Sequence, residues 1–253
     1  MNRYAIEHAA LLIRNASYPI ALTGAGISTP SGIPDFRSPH TGLWEQPNAV
    51  ETASIFGFRR NPQAFYNWMR PLARKILAAS PNPAHYALAE LEAAGYLKAI
   101  ITQNIDMLHS RAGSREVYEL HGHLRQATCI ECFTGYEAES LIMNVIQNGQ
   151  VPHCPACGGL LKPDVILFGE QLPVRELLAA QQATRRSDLM LVVGSSLQVA
   201  PVGDLPLVVK ERGGGLIVIN YQETHVDRAA DVLFRENAAE VLPLIARAVM
   251  EAS

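Results

Sequence analysis

The 253-residue sequence predicts an α/β protein in which a doubly wound parallel sheet carries a smaller, inserted zinc-binding and helical module. Three observations lead there. Short apolar runs of strand length alternate with stretches of helical periodicity, the pattern of a parallel sheet covered on both faces. Several of these runs end in glycine or small polar residues, as at Gly24-Ala25-Gly26, Gly194-Ser195-Ser196 and Asn220. All four cysteines fall in two C-x-x-C pairs within residues 129–157.

Residues 3–14 carry Tyr4, Ile6, Leu11, Leu12 and Ile13 among alanine and glutamate, a helical mixture. Pro19 to Thr23 reads as a short buried strand running into the first glycine turn. Residues 34–60 are rich in Pro, Gly, Ser and Asn with little periodicity, which reads as a long functional loop holding one short helix. Asn82-Pro83 opens a helix, with asparagine as cap and proline in the first turn, that continues through His85 to Ala94 and stops near Gly95. Lys98 to Thr102 is the next strand, Met107 to Arg111 a helix, and Val117 to Leu120 a strand. Beyond the cysteines, Val165 to Phe168 reads as strand and Arg175 to Thr184 as helix. Leu189 to Val193, Leu216 to Ile219 and Val232 to Phe234 read as strands, and Ala238 to Met250 as a closing helix. A Rossmann-like sheet is the natural form of this alternation, with its ligand crevice at the carboxyl ends of the strands.

Composition narrows the class of function. The longest uninterrupted apolar run is five residues (Ala9 to Ile13, and again Leu189 to Val193). A membrane-spanning helix needs roughly 20. Glu7, His8 and Arg14 interrupt the N-terminal apolar stretch, so no secretory leader is expected. Net charge is −3 and basic clusters run no longer than pairs such as Arg185-Arg186, too little to grip a nucleic-acid backbone. A cytoplasmic enzyme is expected.

Cys129-x-x-Cys132 and Cys154-x-x-Cys157 form two knuckles that complete a tetrahedron around zinc. Two disulfides, or four unrelated thiols, are the alternatives. A leaderless chain disfavours the first, and the pairing of every cysteine disfavours the second. Four thiolates leave no open position for water, so the zinc is structural. The module spans residues 124–162, with a short helix between Tyr136 and Val151.

Thr23-Gly24-Ala25-Gly26-Ile27-Ser28 follows a predicted strand, where a phosphate-cradling turn belongs. The third glycine of G-x-G-x-x-G is absent, since position 29 is Thr and the next glycine is Gly32. A tight turn alone would explain the pattern. Gly194-Ser195-Ser196 and Asn220, at two further strand ends, favour a dinucleotide crevice.

Several motifs together carry a resemblance. Gly24-Ala25-Gly26-Ile27-Ser28, Gly32-Ile33-Pro34-Asp35-Phe36-Arg37, Thr102-Gln103-Asn104-Ile105-Asp106, Leu120-His121-Gly122, the paired cysteines, Phe168-Gly169-Glu170 and Gly194-Ser195-Ser196-Leu197 resemble the sirtuins, NAD-dependent protein lysine deacylases. The likeness covers nearly the whole chain in the family's order. It implies a Rossmann-like NAD domain of residues 1–34, 81–123 and 163–253. Residues 35–80 would be a cofactor loop and helical module, and residues 124–162 the four-cysteine zinc module.

The resemblance also implies roles. The acyl group of an acyl-lysine passes to the ADP-ribose of NAD, giving lysine, nicotinamide and O-acyl-ADP-ribose. Gly24, Ala25, Gly26 and Ser28 would bind phosphates and ribose. Asp35, Phe36 and Arg37 would close over NAD, with Phe36 shielding the reactive ribose. Gln103, Asn104, Ile105 and Asp106 would hold the nicotinamide end, Asn104 with a catalytic part. Gly194, Ser195, Ser196, Asn220 and Ala238 would complete the cofactor site. His121 would be the general base, since a histidine titrating near neutrality suits proton abstraction. Val165, Phe168, Gly169, Glu170, Leu197 and Val199 would flank an acetyl-lysine protein or peptide, which adds as a strand between them.

The branch of the family that prefers succinyl- and malonyl-lysine carries a Tyr-x-x-Arg pair. Here Tyr66 is followed by Met69, and Arg70 stands one residue late, rotated by about 100° on a helix. Acetyl-lysine is therefore the expected substrate. The competing readings are a protein ADP-ribosyltransferase, which would capture the same activated ribose carbon with another nucleophile, and a non-catalytic NAD or ADP-ribose sensor. A nicotinamide dehydrogenase lacks its glycine fingerprint here.

Overall fold

The computed structural model describes residues 2–35 and 48–251. Phe36 and Arg37 lie outside the described residues.

Among these residues the larger sheet has six parallel strands. They are β1 (Pro19–Thr23), β2 (Ala99–Thr102), β3 (Val117–Glu119), β7 (Leu189–Val193), β8 (Gly215–Ile219) and β9 (Val232–Phe234), in the order β3-β2-β1-β7-β8-β9. The chain winds outward from β1 in one direction and from β7 in the other, so the switch point lies between these two. Both are buried along their whole length, which is why each reads as a continuous apolar run and does not alternate. Side-chain period sorts them nonetheless. Ala21, Leu191 and Val193 pack with Ile13 of α1 (Arg3–Asn15), Leu88 of α5 (Pro83–Ala93) and Leu242 of α10 (Ala238–Glu251). Ile20, Leu22, Met190 and Val192 pack on the other face with Ala180 of α8 (Val174–Arg186) and Val209 of α9 (Leu205–Glu211).

The smaller sheet is antiparallel, ordered β5-β4-β6, from β4 (Gly122–Cys129), β5 (Gly135–Glu137) and β6 (Leu161–Val165). This corrects the expected strand at Val165 to Phe168. The strand ends at Val165 and belongs to the module, because Gly122 pairs with Val165 and draws the segment onto β4. Gly122 has φ +75°, and a Cβ there would sit 1.9 Å from the Asp164 carbonyl oxygen. Only glycine lets the chain turn out of β3 and pack this closely. Helix α7 (Ala138–Asn148) connects the two halves of the module.

A single core joins the cysteine module to the helical segment. Phe65, Met69, Leu72 and Ile76 of α4 (Pro62–Ala78) pack against Ile142 and Val145 of α7 and Leu124, Leu161 and Val165 of the small sheet. Asn61 caps α4, accepting from the Ala64 amide at 3.1 Å. Ahead of it stand two short helices, α2 (Ala49–Thr52) and α3 (Ile55–Arg60), where one was expected. The reason is local: the Ser54 hydroxyl caps α3, accepting from the Gly57 amide at 2.9 Å, and breaks the segment into two turns. Among the described residues no helix is long and apolar enough to cross a membrane.

Candidate active site

The glycines after β1 are required first by the crossing of two loops. The Gly24 amide donates to the Val193 carbonyl at 3.1 Å and the Gly26 amide to the Gly194 carbonyl at 2.8 Å. A Cβ on Gly24 would lie 2.8 Å from the Gly194 oxygen, and one on Gly26 would lie 2.8 Å from the Gly194 Cα. Gly194 itself has φ +60°, and its Cβ would meet the Ile27 nitrogen at 2.2 Å. The Ile27 and Ser28 amides are also taken, by the Gly24 and Ala25 carbonyls. The turn is therefore a packed crossing whose exposed side lines the cleft.

From this crossing opens a cleft of about 480 Å³. Gly24, Ala25, Gly26, Asp35, Gln103, Asn104, Ile105, His121, Gly194, Ser195, Ser196 and Asn220 line it, with Val165, Phe168, Gly169, Glu170 and Val199. Ser28, Asp106, Leu197 and Ala238 are buried outside the lining. Ser28 and Asp106 stand behind Asn104. Ala238 starts α10 and packs in the core of one sheet face, because an alanine at a helix start facing the sheet has only apolar neighbours to meet. Leu197 packs in the core of the other face.

Behind the lining runs a buried polar network. The Asn104 side-chain amide donates to the Gly24 carbonyl and the Ser28 hydroxyl, both at 3.1 Å. Ser28 donates to the Asp106 carboxylate at 2.6 Å. That carboxylate also accepts, at 2.9 Å, from the Leu108 amide at the start of α6 (Leu108–Arg111). Burial raises the Asp106 pKa, against the pull of the Ser28 and Leu108 hydrogen bonds. His85 Nδ1 accepts from the Asn82 amide at 3.3 Å, which leaves Nε2 as the nitrogen that donates to Ser28, at 3.5 Å. Burial lowers the His85 pKa to about 4. His109, 4.9 Å from His85 between ring centroids, is lowered well below its ordinary value, first by burial and then by His85. Both rings are neutral near pH 7.

Where β3 passes into β4, His121 Nδ1 lies 3.1 Å from the Gln103 carbonyl oxygen. A carbonyl only accepts, so Nδ1 carries the proton and the neutral ring's lone pair sits on Nε2. The Gln103 side chain in turn donates to the Ser195 hydroxyl at 2.8 Å, bridging the loops after β2 and β7. The opposite wall is the segment after β6, held by the Ile166 amide donating to the His121 carbonyl at 2.8 Å.

Sequence reasoning misses Trp68 and Leu72, which line the cleft beside Met69 on α4, and also Pro201 and Tyr221. Tyr221 follows Asn220 at a strand end, a positional signal sufficient to find it. Arg70 turns away from the cleft: its Nε donates to the Ile146 carbonyl at 2.8 Å and a terminal nitrogen to the Gln147 carbonyl at 3.3 Å, capping the last turn of α7. The Tyr66 hydroxyl donates to the Leu161 carbonyl at 2.6 Å.

Away from the cleft the four cysteine sulfurs all lie within 4.8 Å of one another. Cys129 and Cys157 are 3.5 Å apart and Cys132 and Cys154 3.7 Å. Zinc–sulfur bonds of about 2.3 Å in a tetrahedron place sulfurs roughly 3.8 Å apart, so the donor set fits the ion. The Tyr136 hydroxyl, 3.1 Å from the Cys154 sulfur, is placed to donate to a thiolate there.

Fold and site together define a doubly wound α/β protein with its crevice at the switch point and a four-cysteine module packed beside it. The Sir2 family profile matches residues 24–201, and the chain belongs to that family. The NAD-dependent protein deacetylase of Sulfurisphaera tokodaii is 48% identical over 234 residues, 92% of each chain. A crystal structure of a Sir2 homolog–NAD complex superposes with a TM-score of 0.90 at 43% identity, over 97% of this chain and 94% of that one. The structure of Sir2Tm bound to a propionylated peptide gives a TM-score of 0.85 at 38% identity, over 98% of each chain.

The buried histidines set an acid limit on stability. His85 binds its proton near its ordinary value of 6.5 when unfolded and near 4 when folded, so stability is complete above about pH 6.5 and falls as pH drops toward 4. The full loss from this one group is about 3 kcal/mol. Urea unfolding of the wild type and His85→Gln across pH 4–8 is expected to show a flatter profile in the variant, with the residual slope owed to His109. Identical profiles would contradict the buried neutral state.

Proposed function

We propose that the protein is an NAD-dependent protein lysine deacetylase. Acetyl-lysine, NAD and water give lysine, nicotinamide and O-acetyl-ADP-ribose. The observation that carries the reading is the His121 tautomer: the Gln103 carbonyl holds the proton on Nδ1, and this makes Nε2 the basic nitrogen of a histidine that lines the cleft. When bound, NAD supplies a leaving group and a ribose carbon that accepts the acyl oxygen. The chain supplies the rest. His121 accepts a ribose hydroxyl proton, Asn104 orients the nicotinamide end, and the loops at Gly24–Gly26 and Gly194–Ser196 hold the phosphates and ribose. Asp35 and Asn220 line the cofactor side of the cleft, Asn220 toward the adenosine. Val165 to Glu170 and Leu197 to Val199 receive an acetyl-lysine peptide as an added strand.

Cys129, Cys132, Cys154 and Cys157 hold one structural zinc. Their reduced thiolates suit the cytoplasm, where we place the protein.

The direct test mixes protein, NAD and an acetylated peptide and follows nicotinamide. Release that depends on the peptide is expected; release that labels the protein would support ADP-ribosyl transfer instead. His121→Ala is expected to bind NAD and keep less than about a tenth of the turnover, since a general base contributes roughly 10²–10⁴-fold. A variant above that level would remove His121 from the chemistry.

Acyl preference follows from α4. Met69 lines the cleft, while the Tyr66 hydroxyl and the Arg70 guanidinium are both committed to the module's backbone. A succinyl carboxylate would enter without the charge-assisted partner that contributes roughly 1.5–3 kcal/mol. Acetyl-lysine is expected to exceed succinyl-lysine by at least about tenfold in kcat/KM on one peptide sequence. Equal or better desuccinylation would show that a cation reaches the acyl pocket.

A further inference from the structure

We propose that Lys162 is a positioning residue for the peptide substrate, whose buried ammonium sets the backbone of residues 163–170 that form one wall of the cleft. The proposal rests on the deacetylase reading and assigns a residue that it does not need.

Lys162 lies on β6 and is only 9% exposed. Its Nζ donates to the Pro163 carbonyl at 3.0 Å, the Val165 carbonyl at 2.8 Å and the Glu170 carboxylate at 3.1 Å. An ammonium has three protons, and all three are spent on the wall that follows it. The same Glu170 oxygen accepts from the Leu167 amide at 2.8 Å, and the Glu170 amide donates back to the Leu167 carbonyl at 3.0 Å. The wall is thus closed into a loop whose two ends meet at one ammonium. Further bonds attach it to the rest of the molecule. The Ile166 amide donates to the His121 carbonyl, the Phe168 amide to the Ala53 carbonyl, and the Ile55 amide to the Phe168 carbonyl.

Lys162 does not itself line the cleft; Val165 to Glu170 do. It lies behind them, on a second cavity lined also by Gly122, His123 and Asp164 and by the ion pair of Glu119 with Arg125. Its charge therefore acts on substrate through the backbone and the Glu170 carboxylate that it holds. Burial of an ammonium opposes folding unless its partners repay the desolvation, and an apolar side chain of similar volume often serves stability as well or better. A methionine cannot hold two carbonyls and a carboxylate at fixed positions. A peptide that adds as a strand reads those positions directly, whereas the NAD of that reading would meet the loops after β1, β2 and β7. Loss of Lys162 therefore separates peptide from cofactor.

The experiment compares the wild-type enzyme with Lys162→Met, Lys162→Arg and Glu170→Gln. The readouts are kcat and KM for an acetylated peptide, the NAD dissociation constant without peptide, and the melting temperature. Lys162→Met is expected to raise peptide KM at least about tenfold, with kcat and NAD affinity within about threefold of wild type. Lys162→Arg is expected to recover most of the loss, and Glu170→Gln to fall between the two. A folded Lys162→Met with unchanged peptide KM overturns the proposal, as does a parallel loss of NAD and peptide binding, or an arginine variant as impaired as the methionine one. If Lys162→Met does not fold, Glu170→Gln decides: an unchanged peptide KM there overturns it. A wild-type enzyme without acyl-peptide-dependent turnover would instead overturn the deacetylase reading, and this proposal with it.

Discussion

The close crossing of the loops after β1 and β7 is the constraint on which the site depends. Gly24 and Gly26 lie against Gly194 so tightly that a methyl group on any of the three would fall inside a neighbour's contact radius. This crossing stands at the switch point of the sheet, where the strand order diverges on either side. Divergence leaves a crevice, and the crossing sets its floor. Gln103 and Asn104 then reach in from the end of β2, their side chains tied to Ser195 and to the Gly24 carbonyl. His121 is held in turn by the Gln103 carbonyl. A shift of the crossing would move each of these groups in sequence.

Beneath the floor, four polar side chains are buried with partners among themselves. Ser28, Asp106, Asn104 and His85 form one connected network. A buried donor or acceptor left without a partner costs about 1–3 kcal/mol, so these side chains hold one another in a single arrangement. The network costs stability in acid, where His85 must stay neutral, and gives in return a rigid support for Asn104. The opposite wall is built differently, from backbone held by the His121 carbonyl on one side and the Lys162 ammonium on the other. The cofactor side is thus set by the loop crossing and the side-chain network behind it, and the opposite side by backbone that the His121 carbonyl and the Lys162 ammonium hold.

Much of this is legible in the sequence. The buried strands β1, β2 and β7, and β8 beyond its first residue, announce themselves as apolar runs, and Asn82-Pro83 marks the start of α5 as observed. The Val165 strand is misplaced by sequence because periodicity reports a run's exposure and not its partner; pairing with β4 depends on Gly122, which no local pattern reveals. The break between α2 and α3 rests on one serine hydroxyl in a stretch of weak periodicity. In the site, strand-end positions point to most of the cleft lining. Trp68 and Leu72 escape notice because an apolar residue on a helix looks the same whether it faces a core or a cleft. Lys162 escapes because a lysine on a strand reads as solvated until the three acceptors around it are seen. Gly24 and Gly26 stand out for an anion-binding reason, and their packing against Gly194 is visible only in three dimensions.

The central claim is that the loop crossing builds the cofactor side of the cleft. Titration calorimetry of NAD into Gly194→Ala, beside the wild type, tests it most directly. A Cβ at this position meets the Ile27 nitrogen at 2.2 Å in a left-handed backbone, and residues forced into such conformations cost about 1–3 kcal/mol before any clash is counted. The account predicts a folded protein with a lowered melting temperature and NAD affinity reduced at least about tenfold, the equivalent of about 1.4 kcal/mol. Wild-type NAD affinity in a folded Gly194→Ala would contradict it.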